Sequence, residues 1–283
     1  MSIVYLNGKY LEEQDAVVSI NDAGYYYGDG VYEYIFKYYD KLIDADWHLD
    51  RLILSLEKAY IKNYPSRDEI LQIIKNVADK NKQIEVGGIY LQITRGCALR
   101  THSFINLNLK PSLMVKLLPA EIDFNLPPQR WSTKIVEDPR RHRCDIKMLS
   151  LMPMVLSKYD VEKEGYDEVI YYNSKIKSIT EGSCYNVWIV DQNNTLITAP
   201  LGDELLAGIT RKRLIEIAKA YGYKVEEKYY SKEELYNAKE VFGSDSGDFV
   251  ASITSVDGKQ IANGETGAIT LNLYNKYIEF IKK

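Results

Sequence analysis

Lys147 in Arg143-Cys144-Asp145-Ile146-Lys147-Met148-Leu149 and Glu181 in Thr180-Glu181-Gly182-Ser183 are two residues whose types could do chemistry together. Lys147 lies between a basic stretch, Arg140-Arg141-His142-Arg143, expected as a strand, and an apolar segment expected to open a helix. Desolvation there favours the neutral amine, the form that attacks an aldehyde to give a Schiff base. Glu181 stands at the edge of the apolar run Cys184-Tyr185-Asn186-Val187-Trp188-Ile189-Val190, where a carboxylate could keep a pyridine nitrogen protonated. Each residue has a plainer alternative: a lysine at a helix N-terminus, and a turn residue before a strand. The pair points to pyridoxal chemistry only if a phosphate site and a substrate anchor accompany it.

Candidates for both exist. Leu205-Leu206-Ala207-Gly208-Ile209-Thr210-Arg211 runs into an amphipathic helix, and the free amides and dipole of a helix start attract a phosphate. An ordinary helix start would read the same. Arg51 in His48-Leu49-Asp50-Arg51-Leu52 could complete that site, with His48 one turn before it on the same face. A surface arginine on an amphipathic helix is the alternative. Arg95, Arg100 and His102 share the short loop Thr94–His102, and three cationic donors there could trap a substrate carboxylate. The rival is a solvated loop.

The elements that must position these groups are legible in outline. Ile3–Leu6 and Tyr10-Leu11 around Asn7-Gly8 read as a hairpin, and Val31–Phe36 after Gly28-Asp29-Gly30 reads as a strand. Asp46 is expected to cap a helix whose apolar face is Leu49, Leu52, Ile53 and Leu56; Ser66 with Glu69 predicts a capping box on the next helix. Strands follow at Ile89–Thr94 and Ser112–Leu117. Three prolines in Pro119–Pro128 then suggest a linker. Beyond it come a strand near Ser132–Val136, a helix from Leu149 to Lys163, strands at Glu168–Tyr172 and Cys184–Val190, a helix from Gly208 to Ala220 and a closing helix over Leu271–Ile281. The expected architecture is α+β: a smaller domain over 1–118, a linker over 119–128 and a larger cofactor-binding domain over 129–283.

Composition narrows the function classes. A formal charge of -4 offers no attraction for nucleic acid or an anionic membrane surface. No apolar run approaches the roughly 20 residues of a membrane-spanning helix, and the opening segment does not read as a signal peptide. Cys97, Cys144 and Cys184 are odd in number and lack metal-ligand spacing, so no metal is expected and a reducing, cytoplasmic setting is. The 24 tyrosines, many in doublets, suit strand propensity better than an aromatic surface.

Together these segments resemble the fold-type IV pyridoxal phosphate-dependent aminotransferases, and within them the D-amino acid branch most. The resemblance runs through Gly28-Asp29-Gly30-Val31-Tyr32-Glu33, His48-Leu49-Asp50-Arg51-Leu52, Thr94-Arg95-Gly96, Asp145-Ile146-Lys147, Thr180-Glu181-Gly182-Ser183 and Gly208-Ile209-Thr210-Arg211, nearly the whole chain. It implies a two-domain fold with the cofactor, pyridoxal 5'-phosphate, in the cleft between domains. Lys147 would carry the cofactor and Glu181 meet its pyridine nitrogen. Arg51 and the amides of Ile209 and Thr210 would hold the phosphate, and Leu206 would pack on the ring. Tyr32, Arg100 and His102 match the carboxylate trap of the D-amino acid enzymes, an Arg-x-His loop that branched-chain aminotransferases lack. The resemblance also implies a homodimer, with amino acid and 2-keto acid substrates such as 2-oxoglutarate or pyruvate. The hydroxyl-rich phosphate loop of the family corresponds to Gly243–Phe249, where Ser246 fits but Gly247 replaces a usual threonine between Asp245 and Asp248. Branched-chain L-aminotransferases and aminodeoxychorismate lyases share the Lys147 and Glu181 machinery and remain alternatives. The Gly247 departure leaves a non-catalytic pyridoxal-binding protein as the alternative outside enzymes.

Overall fold

A computed structural model describes every residue except Met1, Asn106 and Arg141, so the Arg141 member of the expected basic strand lies outside the described residues. The chain forms two compact units, Met1–Ile122 with Ile146–Leu151 and Asp123–Asp145 with Met152–Lys283. The crossing at Ile122 falls in the proline-rich stretch. A second excursion, Ile146–Leu151, returns Lys147 to the first unit instead of leaving it in the second. So short an apolar segment carries no compositional mark of a boundary.

The first unit is built on strands β1 (Ile3–Leu6), β2 (Lys9–Glu12), β3 (Gly30–Tyr38), β4 (Lys41–Leu42), β5 (Val86–Thr94) and β6 (Ser112–Pro119), in the order β2-β1-β6-β5-β3-β4. The β1–β2 hairpin turns on Asn7 and Gly8, both at positive φ (48° and 95°), as a two-residue primed turn requires. Helices α1 (Ala23–Tyr27), α2 (Ala45–Lys58) and α3 (Arg67–Lys80) complete the unit. Leu49, Leu52 and Leu56 of α2 are fully buried with Ile35, Ile89 and Leu91 of the sheet. Full burial of each such side chain stabilises by about 1.5–3 kcal/mol. Asp46 is not the cap of α2. Asp44 occupies that position, in the left-handed region and without a side-chain cap bond, while Asp46 lies in the first turn and pairs with Arg67 at 2.6 Å. The capping box at Ser66 and Glu69 forms as the spacing predicts.

The returning segment is an extended strap on β3. Tyr32 N–H donates to Lys147 O at 3.0 Å, Leu149 N–H donates to Gly30 O at 3.0 Å, and Met148 bridges Val31. Ile146 is buried in the first core. Leu149 is therefore spent on strand-like pairing, and the helix expected from it starts later, as α4 (Met152–Lys163), with Pro153 in the first turn where its missing N–H costs nothing.

The second unit is a nine-stranded sheet of β7 (Arg130–Glu137), β8 (Glu168–Asn173), β9 (Ser178–Gly182), β10 (Asn186–Val190), β11 (Leu196–Thr198), β12 (Val225–Glu227), β13 (Glu240–Ser244), β14 (Val250–Val256) and β15 (Lys259–Gln260). Its order is β12-β11-β10-β13-β14-β7-β8-β9, with β15 on β14, and β9 pairs again with β10 so that the sheet closes on itself. Ile135, Ile170, Ile179, Val187, Ile189, Val241 and Ile253 fill its core. Helices α5 (Ile209–Ala220), α6 (Lys232–Tyr236) and α7 (Ala268–Lys282) complete the unit, with α5 packed on α7. Two expectations differ here. Glu181 lies within β9, a fully buried strand whose sequence Ser-Ile-Thr-Glu-Gly shows no apolar alternation. The described residues of the basic stretch Arg140–Arg143 form an irregular loop, with Arg143 at φ 68°. No helix among the described residues is long and apolar enough to cross a membrane.

Candidate active site

In the first unit, Tyr32 and Glu33 are neighbours on β3 and therefore face opposite sides of the sheet. Lys147 Nζ lies 4.2 Å from the centroid of the Tyr32 ring, and Lys147 N–H donates to Ser55 Oγ at 3.3 Å. On the other face Glu33, fully buried, accepts from Arg51 Nε at 2.7 Å and from Arg51 Nη2 at 2.9 Å. His48 Nδ1 lies 2.7 Å from Glu33 Oε2. Burial alone would raise the Glu33 carboxyl, but the Arg51 and His48 charges and hydrogen bonds outweigh it and hold it far below the usual carboxylate range. His48 moves down from its ordinary value, because burial and the neighbouring Arg51 outweigh Glu33. Its Nδ1 faces the carboxylate, and the permanent charge beside Glu33 is that of Arg51. The single-turn spacing of His48 and Arg51 does set them on one face, with a buried carboxylate as their common partner.

In the second unit, Glu181 is buried and surrounded by donors. Arg140 Nη1 donates to its Oε1, Asn186 Nδ2 donates to Oε2 at 3.2 Å and Leu206 N–H donates to Oε2 at 3.0 Å. Burial raises the Glu181 carboxyl, and the Arg140 charge and these hydrogen bonds work against it. Arg140 is shared with Asp138, at 2.9 and 2.7 Å, and covers the Tyr171 ring at 4.7 Å. Asn186 is the register partner of Glu181 where the sheet closes, and its Nδ2 also donates to Leu206 O at 3.0 Å. Next along the chain, Gly208 caps α5 without a side-chain bond to the first-turn amides. A Cβ on Gly208 would fall 2.0 Å from Asn186 Oδ1, so only glycine allows this close approach. Thr210 is buried, with its hydroxyl 3.5 Å from Tyr277 Oη.

Two loops differ from expectation. Gly247 N–H and Asp248 N–H both donate to Asp245 Oδ1, at 2.5 and 2.9 Å, so a carboxylate of the chain already occupies the amides beside Ser246. Arg95 does not join Arg100 and His102. It is tied to Asp29 at 2.6 and 2.9 Å and to the carbonyl of Ala59 at 2.9 Å, which makes it a brace at the end of β5. Arg100 and His102 are exposed and meet at the ring of Tyr27, 5.4 and 5.6 Å from its centroid.

Residues 30–256 match the amino-transferase class IV family. The chain is a class IV aminotransferase. Along its length it is 34% identical to a D-alanine aminotransferase of Staphylococcus haemolyticus over 282 residues, 99% of both chains. Its fold is that of a branched-chain aminotransferase from Thermoproteus uzoniensis solved with norvaline, at 25% identity and a TM-score of 0.89, covering 99% of this chain and 94% of the other. A branched-chain aminotransferase of Escherichia coli superposes with a TM-score of 0.90 at 24% identity, over 99% of this chain and 94% of that one.

Enzymes of this class work with pyridoxal 5'-phosphate, and the donor sets of the chain fit such a group. An uncapped 12-residue helix start suits a phosphate, a half-buried primary amine suits an aldehyde, and a buried carboxylate suits a pyridinium. Glu181 and Asp138 share one guanidinium, so a pyridinium beside Glu181 would give the second carboxyl group a cation of its own. The Asp245 loop fits less well, since the Gly247 amide is engaged and its surroundings are acidic.

Sequence reasoning named no role for Glu33, Arg140 or Asn186. Glu33 and Asn186 stand inside the quoted motifs. A charged or amide residue in the middle of an apolar strand was the available signal, because such a group is buried only with partners. Arg140 gave no signal: nothing in a run of basic residues says which one turns inward.

Proposed function

We propose that this aminotransferase moves the amino group of a D-amino acid, of the D-alanine or D-glutamate class, to a 2-keto acid such as pyruvate or 2-oxoglutarate. The observation that carries this reading is the pair Arg100 and His102, two carboxylate donors gathered on one aromatic ring at the tip of an exposed loop. Full-length likeness to D-alanine aminotransferases supports it, whereas likeness in fold to branched-chain aminotransferases is shared by both branches.

The cofactor supplies an aldehyde that takes the amino group and a ring that draws electrons from the substrate α-carbon. Lys147 Nζ would hold it at rest and, as a free amine, would move the proton at the substrate α-carbon. Glu181 holds the proton of the ring nitrogen. Arg140 favours the ionised form of Glu181 against its burial, and Asn186 and Leu206 N–H fix its orientation. Arg51, steadied by Glu33, and the amides of Ile209 and Thr210 bind the phosphate, while Leu206 packs on the ring. Ser246 adds a hydroxyl, and Gly247 contributes least, given Asp245. Tyr32, Arg100 and His102 take the substrate carboxylate, which fixes which face of the α-carbon meets Lys147.

The working form is a homodimer in this reading. On α4, Met152, Val155, Leu156 and Tyr159 recur at helical spacing, yet all are exposed, at 66, 57, 53 and 57%. An apolar stripe turned outward on a helix suits coverage by a second copy. Cys97, Cys144 and Cys184, which form no disulfide among the described residues, suit the cytoplasm. The test is a panel of D- and L-amino acids with 2-oxoglutarate, scored for keto-acid product, beside light scattering for mass. D-alanine or D-glutamate should lead, from a dimer. Preference for L-leucine or L-isoleucine, or a fully active monomer, refutes the reading.

A further inference from the structure

Tyr27 has no part in the function described so far, yet the loop that carries Arg100 and His102 is gathered on it. It closes α1, whose start is capped by Asp22 and whose end turns at Gly28 in the left-handed region (φ 63°). The Arg100 guanidinium lies 5.4 Å from the centroid of the Tyr27 ring, His102 meets the ring edge-on at 5.6 Å and Phe104 edge-on at 6.4 Å. Phe104 in turn lies under Arg95, the residue fixed to Asp29, at 5.1 Å. Between these contacts Leu99 and Ile105 are 87 and 88% exposed. A guanidinium over an aromatic face and an imidazole packed T-shaped against the same ring are attractive contacts that restrict where both side chains sit.

The hydroxyl is the unexpected feature. Tyr27 Oη is buried and has no hydrogen-bond partner among the described residues. A phenylalanine would supply the same ring contacts without that cost, and buried phenol groups ordinarily find an acceptor. A carboxylate offers only acceptors, and here one donor is held in reserve beside two others.

We propose that Tyr27 is a specificity-determining residue of the carboxylate trap, its Oη donating a hydrogen bond to the substrate carboxylate alongside Arg100 and His102. The inference rests on the D-amino acid reading above and deepens it: the trap gains a fourth member beside Tyr32, Arg100 and His102, and that member also organises Arg100 and His102. It sets the substrate class as 2-amino acids with a free α-carboxylate. Amino alcohols and amides are the analogues it discriminates against.

The experiment compares wild type, Tyr27→Phe and Arg100→Ala as holoenzymes. Each is assayed for steady-state turnover of D-alanine, for the half-reaction with D-alaninol, which lacks the carboxylate, and by thermal melting. Losing one donor to an ionised carboxylate corresponds to roughly a ten- to hundredfold rise in KM for D-alanine. For Tyr27→Phe, kcat and cofactor absorbance should hold, the D-alaninol reaction should match wild type, and the melting temperature should be equal or higher. If Arg100→Ala raises KM for D-alanine while Tyr27→Phe leaves it unchanged, or raises it equally for D-alaninol, Tyr27 only packs and the inference fails with the D-amino acid reading intact. Wild type preferring L-leucine, with Arg100→Ala silent, overturns that reading and this inference together.

Discussion

Glu33→Gln should be among the most damaging single-atom changes available in this chain, and its damage should depend on the cofactor. Glu33 is completely buried and answers three donors: Arg51 Nε at 2.7 Å, Arg51 Nη2 at 2.9 Å and His48 Nδ1 at 2.7 Å. A glutamine keeps the shape but turns an NH2 group towards at least one of those donors and leaves the Arg51 charge without its counter-ion. Breaking a buried pair from one side costs about 3–5 kcal/mol. At about 2–4 °C per kcal/mol for a domain of this size, the apo variant should melt roughly 6–20 °C below wild type. A bound phosphate would return negative charge to Arg51, so the deficit should shrink when cofactor is added.

The pH dependence of that deficit has a definite sign. The folded carboxyl of Glu33 lies below its unfolded value, so as pH falls the unfolded chain takes up the proton first. The stabilisation is complete above the unfolded value of about 4.3 and is lost as pH falls below it. Wild type and variant should therefore differ by a constant amount from pH 6 to 8, and the gap should begin to narrow below about pH 4, closing progressively as pH approaches the far lower folded value. Differential scanning fluorimetry of apo and loaded protein across that range measures both effects. A variant within about 2 °C of wild type refutes the energetic argument. A full deficit that ignores cofactor separates Arg51 from the phosphate.

Lys147→Ala should abolish both the visible absorbance of the purified enzyme and its transamination; a yellow variant in which borohydride labels another lysine would remove Lys147 from its role. Glu181→Gln should fold normally and slow the single-turnover half-reaction by about 10²–10⁴-fold, the range for positioned proton-handling groups, and an unchanged rate would reassign Glu181. Burial, Asp248 and Glu168 raise the Asp245 carboxyl to about 6, so it is charged at pH 8 and becomes neutral as pH falls through that value. Asp245→Asn keeps an oxygen for the Gly247 and Asp248 amides while removing that charge, so it should slow cofactor loss on dialysis at pH 8 and differ little from wild type at pH 5. Equal retention at pH 8 would mean that this loop does not face the phosphate.

What the sequence made legible follows the strength of each local signal. The Asn7-Gly8 hairpin, the Ser66–Glu69 capping box and the leucine face of α2 are short-range patterns that one element satisfies by itself, and each forms as expected. The misreadings share one cause, long-range pairing that overrides local preference. Leu149 has the pattern of a helix start but bonds to Gly30, far away along the chain. Glu181 has the composition of a turn but lies where β9 meets β10 and the sheet closes. Asp46 looks like a helix cap, but Asp44 stands in that position and Asp46 pairs with Arg67 of the next helix. Arg95 shares a loop with Arg100 and is spent on Asp29. Motif spacing located the residues of interest in each case, and only the fold assigned their partners.

Those partners give the site its electrostatic logic. Arg51 is matched one to one by Glu33, through two of its nitrogens, so the guanidinium is rigid and its charge is partly answered from behind. Glu181 is matched differently: Arg140 serves both it and Asp138, leaving two carboxylates to one guanidinium in a buried setting. Burial penalises that surplus negative charge, which is why the Glu181 carboxyl is raised despite the arginine beside it. In the proposed site, a proton shared between Glu181 and a pyridine nitrogen would offset that surplus without disturbing the Arg140–Asp138 pair. A fully neutralised glutamate would have less to offer such a nitrogen, and an isolated one would simply protonate. One shared arginine and two amide donors on Glu181 oppose the effect of its burial without cancelling it, which would leave the carboxyl group able to share the proton of such a nitrogen.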